Sequence, residues 1–163
     1  MRMRDDLAEA FNAQITMELA SSVVYLQMAA YFDSENFVGM GSWMKAQAEE
    51  EREHAHRFFE HVLDRGNDVS IGSIDAPPSG FDNVEAVFTE ALAQEQSVTK
   101  AIHDLYRLAT EQGDLASLPF LQTFIEEQIE EESTVETILQ RVRLAGGEST
   151  ALLLLDGELG GRG

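Results

Sequence analysis

The chain has 163 residues, 44% of them apolar, which suits one soluble domain that buries roughly two-thirds of its unfolded surface. It contains no cysteine, so disulfides, thiolate zinc sites, iron–sulfur clusters and cysteine nucleophiles are excluded. With 30 acidic residues against 11 Lys and Arg, the formal net charge of -19 is the wrong sign for nucleic acid; it serves solubility or a surface field that concentrates cations.

In chain order, the opening MRMRDDLAEAF turns acidic before any apolar stretch develops, unlike a secretory signal. A first helical pattern runs from about Asp5 to Phe32 and is broken by Asp33-Ser34-Glu35-Asn36. A second runs from near Val38 to Arg65 and stops at Gly66. DVSIGSIDAPPSGF, rich in Gly, Pro and Ser, has no helical period and reads as a connection. The third helix opens at Asp82, with Glu85 three residues on in a capping-box arrangement, and continues to Gln112. The fourth starts near Ser117, carries Pro119 in its first turn and ends at Gly146-Gly147. A short apolar piece, STALLLLDGEL, follows. The longest apolar run, Ala151 to Leu155, is too short to cross a bilayer, and a cytoplasmic location without membrane or nucleic-acid partners is expected.

Four helices of roughly 40 Å with apolar seams and short joints predict an all-α four-helix bundle. The joints after the first and third helices are tight, so each of those pairs is an antiparallel hairpin. The middle connection can stretch to roughly 50 Å, long enough to cross the full length of a bundle. A single domain over residues 1–163 is expected, with the bundle at about 5–145.

Every seam carries a polar interruption. On the first helix Leu7, Phe11, Ile15, Ser22 and Ala29 share their face with Glu18 and Tyr25. On the second, Met44, Ala48, Ala55, Phe58 and Val62 leave a slot filled by Glu51, with His54 one turn along. The third places Glu95 among Val84, Phe88, Ala91, Val98, Ile102, Leu105 and Ala109. The fourth places Gln128, with Glu131 a turn further, among Leu121, Ile125, Val135, Leu139 and Val142. All of these lie near the midpoint of their helices, so four carboxylates, one imidazole and one amide converge at one level.

Buried carboxylates without compensation cost several kcal/mol each, and four together repel. No lysine or arginine lies on any seam to neutralise them, so a metal ion is the consistent partner. Oxygen-rich ligation with one imidazole suits iron or manganese better than structural zinc. The ligand count points to two ions: Glu18, Glu51 and His54 for one, Glu95 and Glu131 for the other, with Glu51 bridging. Glu51 and His54 share a face because residues three apart are helix neighbours. A second Glu-x-x-His, Glu53 to His56, points off the seam and reads as solvated surface. Tyr25 and Trp43 read as core packing, and His61 and His103 belong to no such group. Glu50, Glu127 and Glu130 flank the seam residues and form either a solvated face or an outer metal site.

With these residues in place, the sequence resembles the bacterial non-haem ferritins over nearly its whole length. The carrying residues are Glu18 with Tyr25 seven later, Glu51-Arg-Glu-His54, Glu95 in LAQEQSVT, and EEQIEE containing Gln128 and Glu131. The resemblance implies a ferritin-like bundle with a short fifth helix at about 149–159, and a ferroxidase that oxidises two Fe(II) ions with O2 or H2O2 and stores Fe(III) as mineral. It implies Glu18, Glu51 and His54 on the first iron, Glu51, Glu95 and Glu131 on the second, Gln128 lining the centre, and Tyr25 supplying an electron or a hydrogen bond. Glu50, Glu127 and Glu130 match a third iron site. It further implies a homo-oligomeric cage of about 24 subunits. Two departures separate the chain from haem-binding relatives: Gln128-x-x-Glu131 replaces a second Glu-x-x-His, and Arg52 replaces the haem-ligating methionine. No haem is expected.

Overall fold

The computed structural model describes residues 1–162, and among these it contains helices and no strand. The helices are α1 (Asp5–Ser34), α2 (Val38–Asp64), α3 (Val84–Glu111), α4 (Leu118–Ala145) and α5 (Ser149–Leu159), followed by a 3-10 turn at Gly160–Arg162. The expected bundle and the expected fifth helix are both present.

The helix ends follow from local chemistry. α1 runs two residues past the expected Phe32 and ends beside Asn36, which takes a left-handed φ of 66° that asparagine tolerates. α4 ends at Gly146, also left-handed at φ 59°, where any side chain would be strained. The expected capping box at Asp82 and Glu85 is not formed. The cap of α3 is Asn83, one residue later, whose side-chain oxygen accepts from the Ala86 amide at 2.8 Å. Glu85 instead reaches out to Arg143 of α4 at 3.0 Å.

Cross-helix contacts fix the topology. Ser22 meets Ala48 and Phe11 meets Phe58, so α1 and α2 are antiparallel. Gln128 meets Glu95 while Arg143 meets Glu85, so α3 and α4 are antiparallel too. Tyr25 meets Glu95 and Asp6 meets Gln112, which sets α3 antiparallel to α1 and hence parallel to α2. That arrangement requires the connection between α2 and α3 to return along the bundle, and it does so on the flank of α1. Asn12 holds it at Asp68 and Ser70, Thr16 at Gly72, and Tyr31 packs edge-on to Phe81.

The apolar interior is divided. One cluster includes Met28, Phe32, Met44, Phe88, Val135 and Leu139, and takes in Leu152 and Leu155 of α5. The other includes Leu7, Phe11, Phe58, Ile102, Leu121 and Phe124. Each long helix passes from one cluster to the other at its own polar interruption, so the interruptions form a layer between two half-cores.

α5 docks against α2 and α4. The fit at its contact with α2 is backbone against backbone: a Cβ on Gly39 would lie 1.9 Å from the Asp156 carbonyl oxygen, so only glycine fits there. The Asp156 side chain accepts from the Met40 amide at 2.7 Å.

Candidate metal centre

Five polar side chains of the layer are buried: Glu18 and Glu51 at 0% exposure, Glu95 at 0%, Gln128 at 1% and His54 at 4%. Glu131 is half-buried beside them. All six positions converge as their seam phase predicts.

The hydrogen bonds divide each carboxylate into a held oxygen and a free one. Gln14 donates to Glu18 Oε1 at 2.9 Å, and Gln47 donates to Glu51 Oε1 at 3.0 Å. The other oxygen of each, Glu18 Oε2 and Glu51 Oε2, has no hydrogen-bond partner, and neither has His54 Nδ1. These three orphans face one another: Nδ1 lies 3.4 Å from Glu51 Oε2 and 3.9 Å from Glu18 Oε2. Three ligand atoms from Glu18, Glu51 and His54 thus fall within 4.8 Å of one another, the spacing of groups that could share a metal ion. On the far side of the imidazole, Nε2 lies 3.3 Å from a Glu127 oxygen. A carboxylate there can orient the ring and favour the tautomer that leaves Nδ1 as an acceptor.

Glu95 and Glu131 complete the layer. Tyr25 donates its hydroxyl to Glu95 Oε1, and Gln128 donates to Glu95 Oε2 at 3.1 Å while lying 3.1 Å from Thr99 Oγ1. Glu131 Oε2 accepts from the same Gln47 nitrogen that serves Glu51, at 3.0 Å. Gln47 therefore couples the Glu51 and Glu131 carboxylates from one donor group. Sequence phasing missed Gln14, Gln47 and Thr99. Two carried a readable signal, since Gln14 and Gln47 each stand four residues before a layer glutamate and so one turn below it.

The electrostatics report a shortage of positive charge. Burial raises the Glu18 carboxyl well above its usual range, and the adjacent Glu51 adds to the effect. Glu95 is pushed up to about 7 by burial and by Glu51. Glu131 is pushed up to about 9 by burial and by the nearby Glu50 carboxylate. Glu51 is also penalised by burial, but its contacts with His54 and its hydrogen bonds hold it low. The same contacts raise His54 against the opposing effect of its own burial. The layer therefore favours bound protons on Glu18, His54, Glu95 and Glu131 where no cation is present. A multivalent cation at the three facing atoms would replace them.

The flanking acids are arranged differently. Both oxygens of Glu127 accept from Arg57 at 3.0 Å, and Arg57 stacks over Phe124. Glu50 pairs with Arg162 at 2.7 Å. Glu130 is exposed. Glu49, Glu50, Glu53, His54, Arg57 and Glu127 line a surface cleft that opens onto the imidazole. The second Glu-x-x-His stays on the surface, where His56 pairs with Glu60 at 3.2 Å. His61 stacks between Phe11 and Phe120 and lies 3.1 Å from Ser117 Oγ, as packing. Arg52 is exposed and paired with Glu49. No helix among the described residues is long and apolar enough to cross a membrane.

A bundle whose mid-level carries inward carboxylates and a Glu-x-x-His pair defines the ferritin-like class of helical proteins. The comparisons agree with that class, for the Ferritin-like domain family matches residues 8–145. The chain is 36% identical to the bacterial non-heme ferritin of Staphylococcus aureus over 157 residues, covering 96% of this chain and 95% of that one. It is 37% identical to the bacterial non-heme ferritin of Staphylococcus haemolyticus over the same length. Its structure is similar to an open pore ferritin from the hyperthermophilic archaeon Archaeoglobus fulgidus, with a TM-score of 0.97 and 40% identity over 99% of this chain and 98% of that one. The chain belongs to the ferritin family.

Proposed function

We propose that this iron-storage ferritin oxidises Fe(II) at the polar layer and passes Fe(III) to a mineral inside a homo-oligomeric cage. The observation that carries the reading is the set of three buried, unpartnered atoms facing one another: Glu18 Oε2, Glu51 Oε2 and His54 Nδ1. Orphaned buried polar atoms are costly in a folded protein unless a ligand completes them.

Fe(II) is the substrate. The first ion would take Glu18, Glu51 and His54. A second would take Glu95 and Glu131, with Glu51 shared between the two. Each Fe(II) gives up one electron, so a pair supplies the two electrons that, with two protons, convert O2 to H2O2. Where H2O2 is the oxidant instead, a pair of Fe(II) ions and two protons convert it to two water molecules.

The protein's part is positioning and proton management. Gln14 and Gln47 fix the carboxylate rotamers from the back. Gln128 and Tyr25 hold Glu95. His54, once a ligand, releases its Nδ1 proton, and Glu95 and Glu131 lose theirs as iron binds. Glu50 and Glu127, which line the cleft leading to His54, would form an outer iron site with the exposed Glu130. The acidic surface draws Fe(II) toward that cleft. Assembly into about 24 subunits would cover exposed apolar side chains such as Leu26, Leu153 and Leu154.

The test is stopped-flow oxidation of Fe(II), titrated from zero to several ions per subunit, on the wild type and Glu51→Ala. A fast phase that saturates near two ions per subunit and is lost in the variant supports the centre. Continued slower uptake at higher loading supports storage. Equal and slow oxidation by both proteins would make the layer architectural and overturn the reading.

A further inference from the structure

The last described side chain of the protein contacts an acid that lines the cleft. Arg162, in the 3-10 turn after α5, reaches back 112 residues to Glu50 and donates from Nη2 to Oε2 at 2.7 Å. Its guanidinium lies 4.6 Å over the ring of Trp43, and Nη1 donates to the Trp43 carbonyl at 3.3 Å. The position is set by the docking of α5, because Asp156 binds Met40 and Gly160 comes against Gly39. Gly160 and Gly161 precede the arginine, and a Cβ on Gly161 would meet nothing within 4 Å, so the turn presents no side chain of its own between α5 and Arg162.

We propose that the Arg162 guanidinium is a built-in counter-cation of the outer cleft, which a divalent cation bound at Glu50 must displace, so that the C-terminal arm responds to metal loading. The inference rests on the reading of Glu50 as an outer iron ligand. It goes beyond that reading by assigning the residue that competes for Glu50 and the part of the chain that moves.

Three observations carry it. Glu50 and Glu127 line one cleft with His54, and Glu127 lies 3.3 Å from the imidazole Nε2. Each already holds an arginine, but the two arginines are held differently. Arg57 is fixed by two bonds to Glu127, one to Thr123 and the Phe124 ring beneath it. Arg162 has one bond to a carboxylate, one to a carbonyl and the face of Trp43. Its side chain is 28% exposed and that of Glu50 is 38% exposed, so the ion pair is partly in water and weak. A doubly charged ion at the Glu50 oxygens repels the guanidinium and removes its only anion. Only the Trp43 ring and carbonyl then remain as partners, and neither carries a formal charge.

Trp43 is the protein's one tryptophan, which makes the displacement visible. The experiment is a Zn(II) titration of the metal-free assembled protein, followed by calorimetry and by Trp43 emission, in the wild type, Arg162→Ala, Arg162→Lys and Glu50→Gln. Zn(II) is closed-shell and does not quench by redox chemistry. The wild type is expected to show early binding at the inner centre and a later phase, absent in Glu50→Gln, that coincides with the change in Trp43 emission.

In Arg162→Ala the later phase is expected about 2- to 5-fold tighter, the range a partly exposed ion pair allows, and without the emission change. Arg162→Lys, which keeps the charge, is expected to keep the wild-type affinity more nearly than Arg162→Ala does. A Glu50-dependent phase with the same affinity and the same emission change in Arg162→Ala overturns the counter-cation and leaves the outer site standing. The absence of any Glu50-dependent phase, with early binding intact, overturns the outer site and the counter-cation together.

Discussion

Tyr25 donates its buried hydroxyl to Glu95 Oε1, tying α1 to α3 at the level where the two half-cores meet. Burial and the neighbouring carboxylates push the phenol well above its usual value, so it remains a donor throughout the working pH range. The bond in turn lowers the cost of ionising Glu95. Tyr25→Phe is expected to leave that oxygen unpaired, destabilise the metal-free protein by about 1–3 kcal/mol in urea melts, and raise Glu95 further. The fast oxidation phase should slow while its saturation near two irons per subunit persists. A variant with wild-type melting and wild-type rate would reduce Tyr25 to packing.

The protonated carboxylates give the metal-free protein a distinctive pH dependence. Glu95 moves from 4.5 to about 7 on folding and Glu131 from 4.5 to about 9. Between those limits the folded chain binds more protons than the unfolded chain, so stability falls as pH rises through the window. His54, also raised, adds to the same fall. Glu51, held low, acts oppositely, and its contribution is lost only as the medium becomes acidic. The melting temperature of the metal-free protein should therefore decline from about pH 5 to pH 9, more than that of Glu131→Gln. Zn(II) should flatten the decline and release protons into weakly buffered solution.

Gln47 is expected to matter beyond its size. Its single side-chain nitrogen serves Glu51 and Glu131, which in the proposed centre belong to different irons. Gln47→Leu keeps the volume and removes the shared donor. Fe(II) affinity should fall about 10-fold or more, the cost usually seen when a ligand's orienting partner is lost. Anaerobic Fe(II) titration by calorimetry measures this directly. An unchanged isotherm would show that both carboxylates are oriented without it.

Gly39→Ala tests the docking of α5. The added methyl would overlap the Asp156 carbonyl, a backbone atom that cannot rotate away. A loss of about 2–4 kcal/mol is expected, with the α4–α5 joint at Gly146-Gly147 becoming protease-sensitive. Circular dichroism should show the four long helices intact. The wild-type cleavage pattern in the variant would mean that α5 is held without this contact.

How far the sequence discloses the molecule varies with the distance over which a contact acts. Helical phase placed Glu18, Glu51, His54, Glu95 and Gln128 in the interior because a 3.6-residue period determines which side chains share a face. Equal helix lengths put them at one level. The same phasing could not distinguish Asp82 from Asn83 as the α3 cap, since both are good caps one residue apart and tertiary packing selects between them. It also could not show that Gln47 reaches Glu131, that Arg162 reaches Glu50, or that Asp156 reaches Met40. Those contacts span 84, 112 and 116 residues and depend on the final angle and depth of packed helices. Nothing in a local pattern encodes them.

The bond from Asp156 to the Met40 amide has a consequence for how the protein is made. α2, which carries Glu51 and His54, begins without a side-chain cap of its own: its N-cap position is Phe37. The anion that satisfies its first turn arrives from α5, near the far end of the chain. On a ribosome, where synthesis runs from the N-terminus, α1 and α2 emerge and pair while that turn is still open. The start of α2 is thus finished last, and a nascent chain that stalls before Asp156 presents a frayed helix with free amides to the quality-control machinery.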